Sequence, residues 1–296
     1  MSVKNNPQEF SINKLWLRKS FANAASTYND VAVLQKEVAK RLVERLEYIN
    51  IQPQDMLDLG SGTGFCSELL EQRYKNAQLY SLDIAHGMLK YAKSQQGFFK
   101  RWRRSQQFIC GDAEALPLQA DMSDMIISSL ALQWCYDLDT TFQELHRVIK
   151  PGGLLMFATL GPDTLKELRQ SWKQADDYAH VSGFIDMHDI GDALMRSGFN
   201  EPVMDVENIT LTYNSVDDLM RDLKNLGSRN ALQGRATGLT GKNKLKKMKA
   251  AYENHRREGV LPATYEVVYG HAWVSEQKMS STYADTSFPI PVKVEK

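Results

Sequence analysis

At 296 residues, with 43% hydrophobic and 24% charged residues, the chain can hold one large domain or two small ones around a sizeable core. Lys+Arg and Asp+Glu are equal at 36 each, so overall charge argues for neither nucleic acid nor a membrane surface, and any electrostatic partner must be sought in local clusters. The three cysteines, Cys66, Cys110 and Cys135, lie in apolar runs without a C-x-x-C pair, which predicts reduced core residues and a cytoplasmic protein. No apolar run reaches membrane-spanning length, the N-terminus lacks a signal h-region, and no metal site is expected.

Residues 1–13 are polar. From Lys14 to about Leu46 the apolar spacing is helical, through Leu15, Trp16, Leu17 and Phe21, then Val31, Leu34, Val38, Leu42 and Leu46. The intervening Phe21–Asp30 stretch is small and polar apart from Phe21 and Tyr28. Either it folds over a cofactor mouth as a lid, or Tyr28 packs beside a helix start that Asn29 or Asp30 caps.

Met56–Leu59 is short and apolar enough for a buried parallel strand, and it breaks on glycines at 60, 62 and 64 into the helical Phe65–Leu70. Such a turn brings backbone close to a ligand, because no Cβ intervenes, and the helix end adds unpaired N–H groups. A dinucleotide G-x-G-x-x-G would need glycine at Phe65 or Ser67, and no G-K-[ST] follows. The pattern Asp58-Leu-Gly60-Ser-Gly62-Thr-Gly64 instead resembles the E/D-x-G-x-G-x-G turn of class I methyltransferases that use S-adenosylmethionine (SAM).

Gln78–Asp83 predicts a second strand, with Asp83 placed 23 residues after Gly60, close to the interval at which a carboxylate meets a ribose hydroxyl pair. Ile84–Lys93 reads as a helix with Met88 and Leu89 on its apolar side. The basic, aromatic Phe98–Arg104 fits nucleic acid, an acidic protein partner or a solvated loop. Phe108–Cys110 is a third strand with Asp112 just past its end, either against an adenine or simply in a turn. Asp124–Ser129 is the fourth, and its carboxyl end is where open α/β sheets place ligands. Gln133 and Trp134 then face the transferred group, unless Trp134 is core.

The helix Leu138–Ile149 should stop at Lys150-Pro-Gly-Gly153, and Leu154–Thr159 is the fifth strand. Helix is expected over Gly161–Tyr178, briefly before Gly198, and over 215–226 and about 240–257; strands are expected over Val203–Tyr213 and Thr264–Val274. This β-α alternation predicts a mostly parallel sheet with helices on both faces. The expected organisation is an N-terminal helical lid (1–48), an α/β core (49–214), a helical cap (215–262), the last core strand (263–275) and a loosely ordered tail (276–296).

Phe21-Ala-Asn-Ala-Ala-Ser-Thr-Tyr28-Asn-Asp, Leu130-Ala-Leu-Gln-Trp-Cys135, Gly161-Pro-Asp-Thr-Leu-Lys-Glu-Leu-Arg169 and Leu223-Lys-Asn-Leu-Gly-Ser-Arg-Asn230 together resemble the malonyl-acyl carrier protein O-methyltransferases of biotin synthesis, from about Leu17 to Trp273. That resemblance implies the class I methyltransferase fold with a seven-stranded sheet. It implies SAM held by Gly60, Gly62, Asp83, Asp112 and Ala113, with Asp58, Ser61, Ile84, Met88 and Ser129 beside them, and Tyr28 as the active-site tyrosine of the lid. The acceptor would be a malonyl carboxylate, whose pKa of about 3–4 leaves it ionised without a general base. A buried carboxylate must still meet a donor or cation, for which Tyr28, His180, Arg229 and Arg235 are candidates. The carrier is acidic, which gives a role to Lys100–Arg104 or Lys242–Lys249; the latter also reads as a solvated helix face. A methyltransferase-fold assembly factor that hydroxylates arginine shares part of the pattern. A quinone or sterol methyltransferase and a non-catalytic or RNA-binding scaffold are the other readings, with neutral charge against RNA.

Overall fold

The computed structural model describes residues 13–97, 106–176, 178, 180–228 and 241–276. Lys100–Arg104, Arg229, Arg235 and the tail from residue 277 lie outside the described residues. Among the described residues seven strands form one sheet: β1 (Asp55–Leu59), β2 (Gln78–Asp83), β3 (Gln106–Cys110), β4 (Ser123–Ser129), β5 (Ile149–Leu160), β6 (Phe199–Tyr213) and β7 (Leu261–Val274). Their order is β3-β2-β1-β4-β5-β7-β6. The first five are parallel, and β7 runs antiparallel to both β5 and β6. The chain leaves β1 toward one edge and returns as β4 on its other side, so the crevice beyond the carboxyl ends of β1 and β4 is the topological switch point.

The central strands are apolar because both faces are covered. One face packs Val38, Leu42, Leu70, Trp172, Met248 and Tyr252 against the sheet; the other packs Phe142, Leu145, Ile190 and Leu194. Leu34, Val38, Leu42 and Leu46 are all buried, as their helical spacing predicts, and each fully buried side chain of this kind contributes about 1.5–3 kcal/mol. Asp137 and Ser215 cap the helices Leu138–Val148 and Val216–Asn225 by accepting from Thr140 N and Asp218 N. Among the described residues no helix is long and apolar enough to cross a membrane.

Several expectations are corrected. The N-terminal pattern is broken into helices Lys14–Ala24, Tyr28–Val31 and Val33–Glu44, with a 3₁₀ turn at Arg45–Tyr48. Helix begins only at Lys166, not Gly161, because the preceding backbone is claimed by β7: Gly161 N donates to Glu266 O, Asp163 N to Glu266 Oε2 and Leu165 N to Thr264 O. β5 begins at Ile149, directly after the helix, with a register shift between Ser123 and Met125. β6 and β7 each start earlier than expected, at Phe199 and Leu261, extending their pairing past the apolar runs. Cys110 is exposed rather than core; Cys66 alone of the three is buried.

A buried polar chain ties β1, β2, β3 and the helix Phe65–Arg73. Ser67 Oγ donates to Asp58 Oδ2 at 2.5 Å, lies 2.8 Å from Ser81 Oγ, and Ser81 Oγ accepts from Gln106 Nε2 at 2.7 Å. Burial pushes the Asp58 carboxyl up to about 7, against the Ser67 hydrogen bond and aided by the charge of Asp83. The folded state therefore binds this proton more tightly than the unfolded chain, so the contribution to stability is complete below about pH 4 and is lost as pH rises through about 7. Asp58→Asn should flatten the fall in Tm between about pH 4 and pH 7, an effect of the order of a few kcal/mol in wild type. Parallel Tm profiles for the two proteins would contradict this.

Candidate active site

The glycine turn is a site where glycine is required. Gly60 and Gly62 have φ of +74° and +53°, and a Cβ on Gly60 would lie 2.2 Å from the Ala131 Cβ. Gly60 N and Ser61 N both donate to Leu82 O, at 2.7 and 3.0 Å, which pins the turn to β2. Asp83 closes it: Oδ2 accepts from Gly62 N at 2.9 Å and Oδ1 from Ala85 N at 2.7 Å. Burial raises this carboxyl to about 6, with the two backbone donors opposing.

Above the turn lies a cavity of about 740 Å³, open to solvent. Gly60 and Gly62 line it from the turn after β1, Asp83 and Ile84 from the end of β2, and Met88 from the helix His86–Gln95; Asp112 and Ala113 line it from the loop after β3 and Ser129 from the end of β4. Asp58 and Ser61, expected beside them, are not part of its lining. Asp58 is turned toward Ser67 beneath the turn, and Ser61 is buried with its Oγ unpartnered among the described residues. Asp112 does face the cavity, but its carboxylate is already engaged. Lys14 Nζ donates to Oδ2 at 2.7 Å and Glu114 N to Oδ1 at 3.1 Å, while Lys14 also pairs with Glu114 at 2.8 Å. This ion pair latches the N-terminal helix onto the loop after β3. The same helix packs so closely on His86–Gln95 that a Cβ on Gly87 would meet the Ala22 backbone at 2.8 Å.

A second cavity, of about 820 Å³, lies against the first. Among the described residues, four line both: Phe21, Tyr28, Leu130 and Trp134. Phe21 and Trp134 meet edge to face at 5.4 Å. Leu130 leaves β4 with φ of +54°, unusual for a non-glycine residue, and Leu165 on the far side of the second cavity has the same φ. Tyr28 is held by its neighbour: Asn29 Oδ1 accepts from Thr63 Oγ1, and Asn29 O accepts from Lys36 Nζ, both at 2.7 Å. Burial, and then the charge of Asp83, push the Tyr28 phenol well above its ordinary value, so it remains a neutral donor.

His180 and Gln133 line the second cavity. His180 stacks on Trp172 with centroids 3.6 Å apart, and its Nε2 lies 2.7 Å from Asp176 Oδ1, whose other oxygen is 3.2 Å from Lys244 Nζ. Gln133 donates to Leu130 O at 2.7 Å and accepts from Thr159 at 3.3 Å, so it braces the shared wall. Among the described residues lining this cavity there is no lysine or arginine. Sequence reasoning missed Lys14, Phe21, Leu130 and Leu165 as site residues. Phe21, Leu130 and Leu165 each lie in a stretch that carries the family resemblance, but nothing in those stretches marks them individually.

Residues 57–157 match the methyltransferase domain family. Over 287 residues the chain is 52% identical to the malonyl-[acyl-carrier protein] O-methyltransferase of Gallionella capsiferriformans, covering 95% of this chain and 99% of that one. The chain belongs to the malonyl-[acyl-carrier protein] O-methyltransferase family. Relatives of that name from Methylovorus sp. and Coxiella burnetii are 51% and 43% identical over 92% and 96% of this chain, and cover 92% and 96% of their own lengths. Among solved structures, the YcgJ protein of Bacillus subtilis superposes with a TM-score of 0.56 at 14% identity, over 81% of this chain and 99% of that one. Phosphoethanolamine N-methyltransferase 2 of Haemonchus contortus, solved with SAM, gives 0.52 at 14% identity, over 86% and 57%. At these identities the two structures show the shared fold, with the glycine turn of this malonyl-[acyl-carrier protein] O-methyltransferase family member at its switch point.

The two glycines should respond differently to alanine. Gly60→Ala adds a clash to an unfavourable φ and should lower stability by about 2 kcal/mol or more, while Gly62→Ala, with nothing within 4 Å, should cost about 1 kcal/mol of backbone strain. Thermal unfolding of both variants checks this; equal losses would contradict it.

Proposed function

We propose that the first cavity holds SAM and that the chain transfers its methyl group to the free carboxylate of a malonyl thioester carried on an acyl carrier protein, forming the methyl ester that enters pimeloyl synthesis for biotin. The observation that carries this reading is the wall of Phe21, Tyr28, Leu130 and Trp134, common to the glycine-turn cavity and the second one, which brings a donor and an acceptor face to face. The names of relatives matched over nearly the full length support it, and do not favour the arginine-hydroxylase or quinone readings.

The residues present fit SAM. Gly62 has no neighbour within 4 Å of a Cβ position, leaving room for a ligand against the backbone, and Asp83 presents a buried carboxylate suited to a ribose hydroxyl pair. Met88, Ile84 and Ala113 offer apolar surface for a purine. The cofactor supplies a methyl group on a positively charged sulfur when bound. The chain's own residues then have positioning to do. An acceptor carboxylate of pKa about 3–4 arrives ionised, so no base is required. Holding it in line and excluding water are effects worth up to about 7–11 kcal/mol.

Tyr28, neutral and lining both cavities, is suited to donate one hydrogen bond to the acceptor oxygen without the tight ion pair that would blunt a nucleophile. His180, the other candidate that lies among the described residues, also lines the acceptor cavity. The carrier is expected to dock on the helix Lys242–Glu253, where Lys246 and Lys247 are exposed and Lys244 reaches Asp176, the partner of His180 at the acceptor cavity.

Incubation with SAM and malonyl-acyl carrier protein should add one methyl group to the carrier, seen by intact-mass spectrometry; an unmodified carrier would reject the activity. Tyr28→Phe should keep SAM affinity by calorimetry and lose about tenfold or more in turnover, the value of one hydrogen bond of about 1–2 kcal/mol. Unchanged turnover in a labelled-methyl assay would remove the tyrosine from this role. Reversing charge at Lys246 and Lys247 should raise the KM for the carrier and weaken its salt dependence; insensitivity to both would take the helix out of the docking surface.

A further inference from the structure

Gln35 is the third residue of the helix Val33–Glu44, where a glutamine ordinarily reaches back to the N-cap backbone. Here its Oε1 is buried, makes no hydrogen bond among the described residues, and belongs to the lining of the acceptor cavity. The neighbouring polar groups of that cavity are differently placed. Gln133 is spent on Leu130 O and Thr159, Thr164 Oγ1 lies between Glu266 O and Glu266 N, and His180 holds Asp176. A buried acceptor left unpaired costs about 1–3 kcal/mol, so a bound ligand that supplies a donor recovers that loss.

We propose that Gln35 Oε1 binds the thioester arm of the acceptor, by accepting from the arm's amide N–H nearest the thioester sulfur. This rests on the malonyl thioester reading and deepens it. The chemistry selects the arm over the acyl group. An ionised malonyl thioester carries a carboxylate and a thioester carbonyl, both of which only accept hydrogen bonds. Moving along the arm from sulfur, the first N–H is the amide two carbons away, a group shared by carrier-protein and coenzyme A thioesters. With that amide anchored on the helix Val33–Glu44, the acyl group beyond the sulfur extends toward Tyr28 and Trp134, which line the same cavity. A short diacid is then placed by the length between amide and wall.

The test uses two small acceptors with the full-length protein: the malonyl thioester of N-acetylcysteamine, and its isostere with an ester oxygen in place of the amide N–H. Wild type should methylate both, and should lose about tenfold in kcat/KM, mostly through KM, on going from amide to ester. Gln35→Met, similar in size, should show a ratio near one between the two acceptors. Gln35→Glu retains an acceptor oxygen and should keep the wild-type preference even if its overall rate falls. The same amide-to-ester ratio in wild type and Gln35→Met would overturn the assignment to Gln35. Failure of wild type to methylate either acceptor or malonyl-acyl carrier protein, with SAM bound, would instead overturn the acceptor reading and the assignment with it.

Discussion

The approach of Gly60 to Ala131 sets the geometry of both cavities. The turn after β1 and the loop after β4 touch at a distance that leaves no room for a side chain. The strand order makes these two segments neighbours at the switch point, and the glycine lets them meet. The β1 turn, with Asp83 fastened to Gly62, then shapes the cofactor cavity, while Leu130, Trp134 and the braced Gln133 carry the wall beyond it. The N-terminal helices complete that wall with Phe21 and Tyr28, and they are fixed at separate points: Lys14 on Asp112 and Glu114, Ala22 against Gly87, and Asn29 on Thr63.

The electrostatics of the site follow from the chemistry proposed for it. The cofactor side contains a buried carboxylate, Asp83, held by backbone N–H groups, which suits a ligand carrying hydroxyls and positive charge. The acceptor side, among the described residues, offers neutral donors and one imidazole in a largely apolar cavity. An anionic nucleophile placed there keeps more of its reactivity than one locked in a lysine or arginine pair, and low water content strengthens the hydrogen bonds that remain. A half-buried tyrosine whose proton is held firmly is consistent with positioning rather than proton transfer.

Much of the core was legible because it is local. The run Met56–Leu70 announces strand, turn and helix within fifteen residues, and Asp83, Asp112 and Ser129 stand at or just past the ends of the strands read from the sequence. All three line the cofactor cavity. Asp58 and Ser61 belong to the same motif but do not line it: Asp58 is engaged by Ser67, since strand alternation decides direction where a motif gives only proximity. What could not be read is long-range. Lys14 meets Asp112 across 98 residues, and the helix expected from Gly161 is delayed because Glu266 and Thr264, about a hundred residues on, take its first N–H groups. The left-handed φ at Leu130 and Leu165 has no composition signal, because leucine is a residue that seldom adopts it. Gln35 is a polar position on an amphipathic helix, and burial of its oxygen, which no sequence pattern reports, sets it apart.

The shared wall is the claim on which the functional account stands, and a crystal structure of the ternary complex with S-adenosylhomocysteine and a malonyl thioester tests it most directly. The account predicts the sulfur in the glycine-turn cavity, directed at Tyr28 and Trp134, with the malonyl carboxylate in line on the opposite side of that wall. A carboxylate found outside the cavity bounded by Phe21, Tyr28, Leu130 and Trp134, or a sulfur directed away from it, would contradict the account.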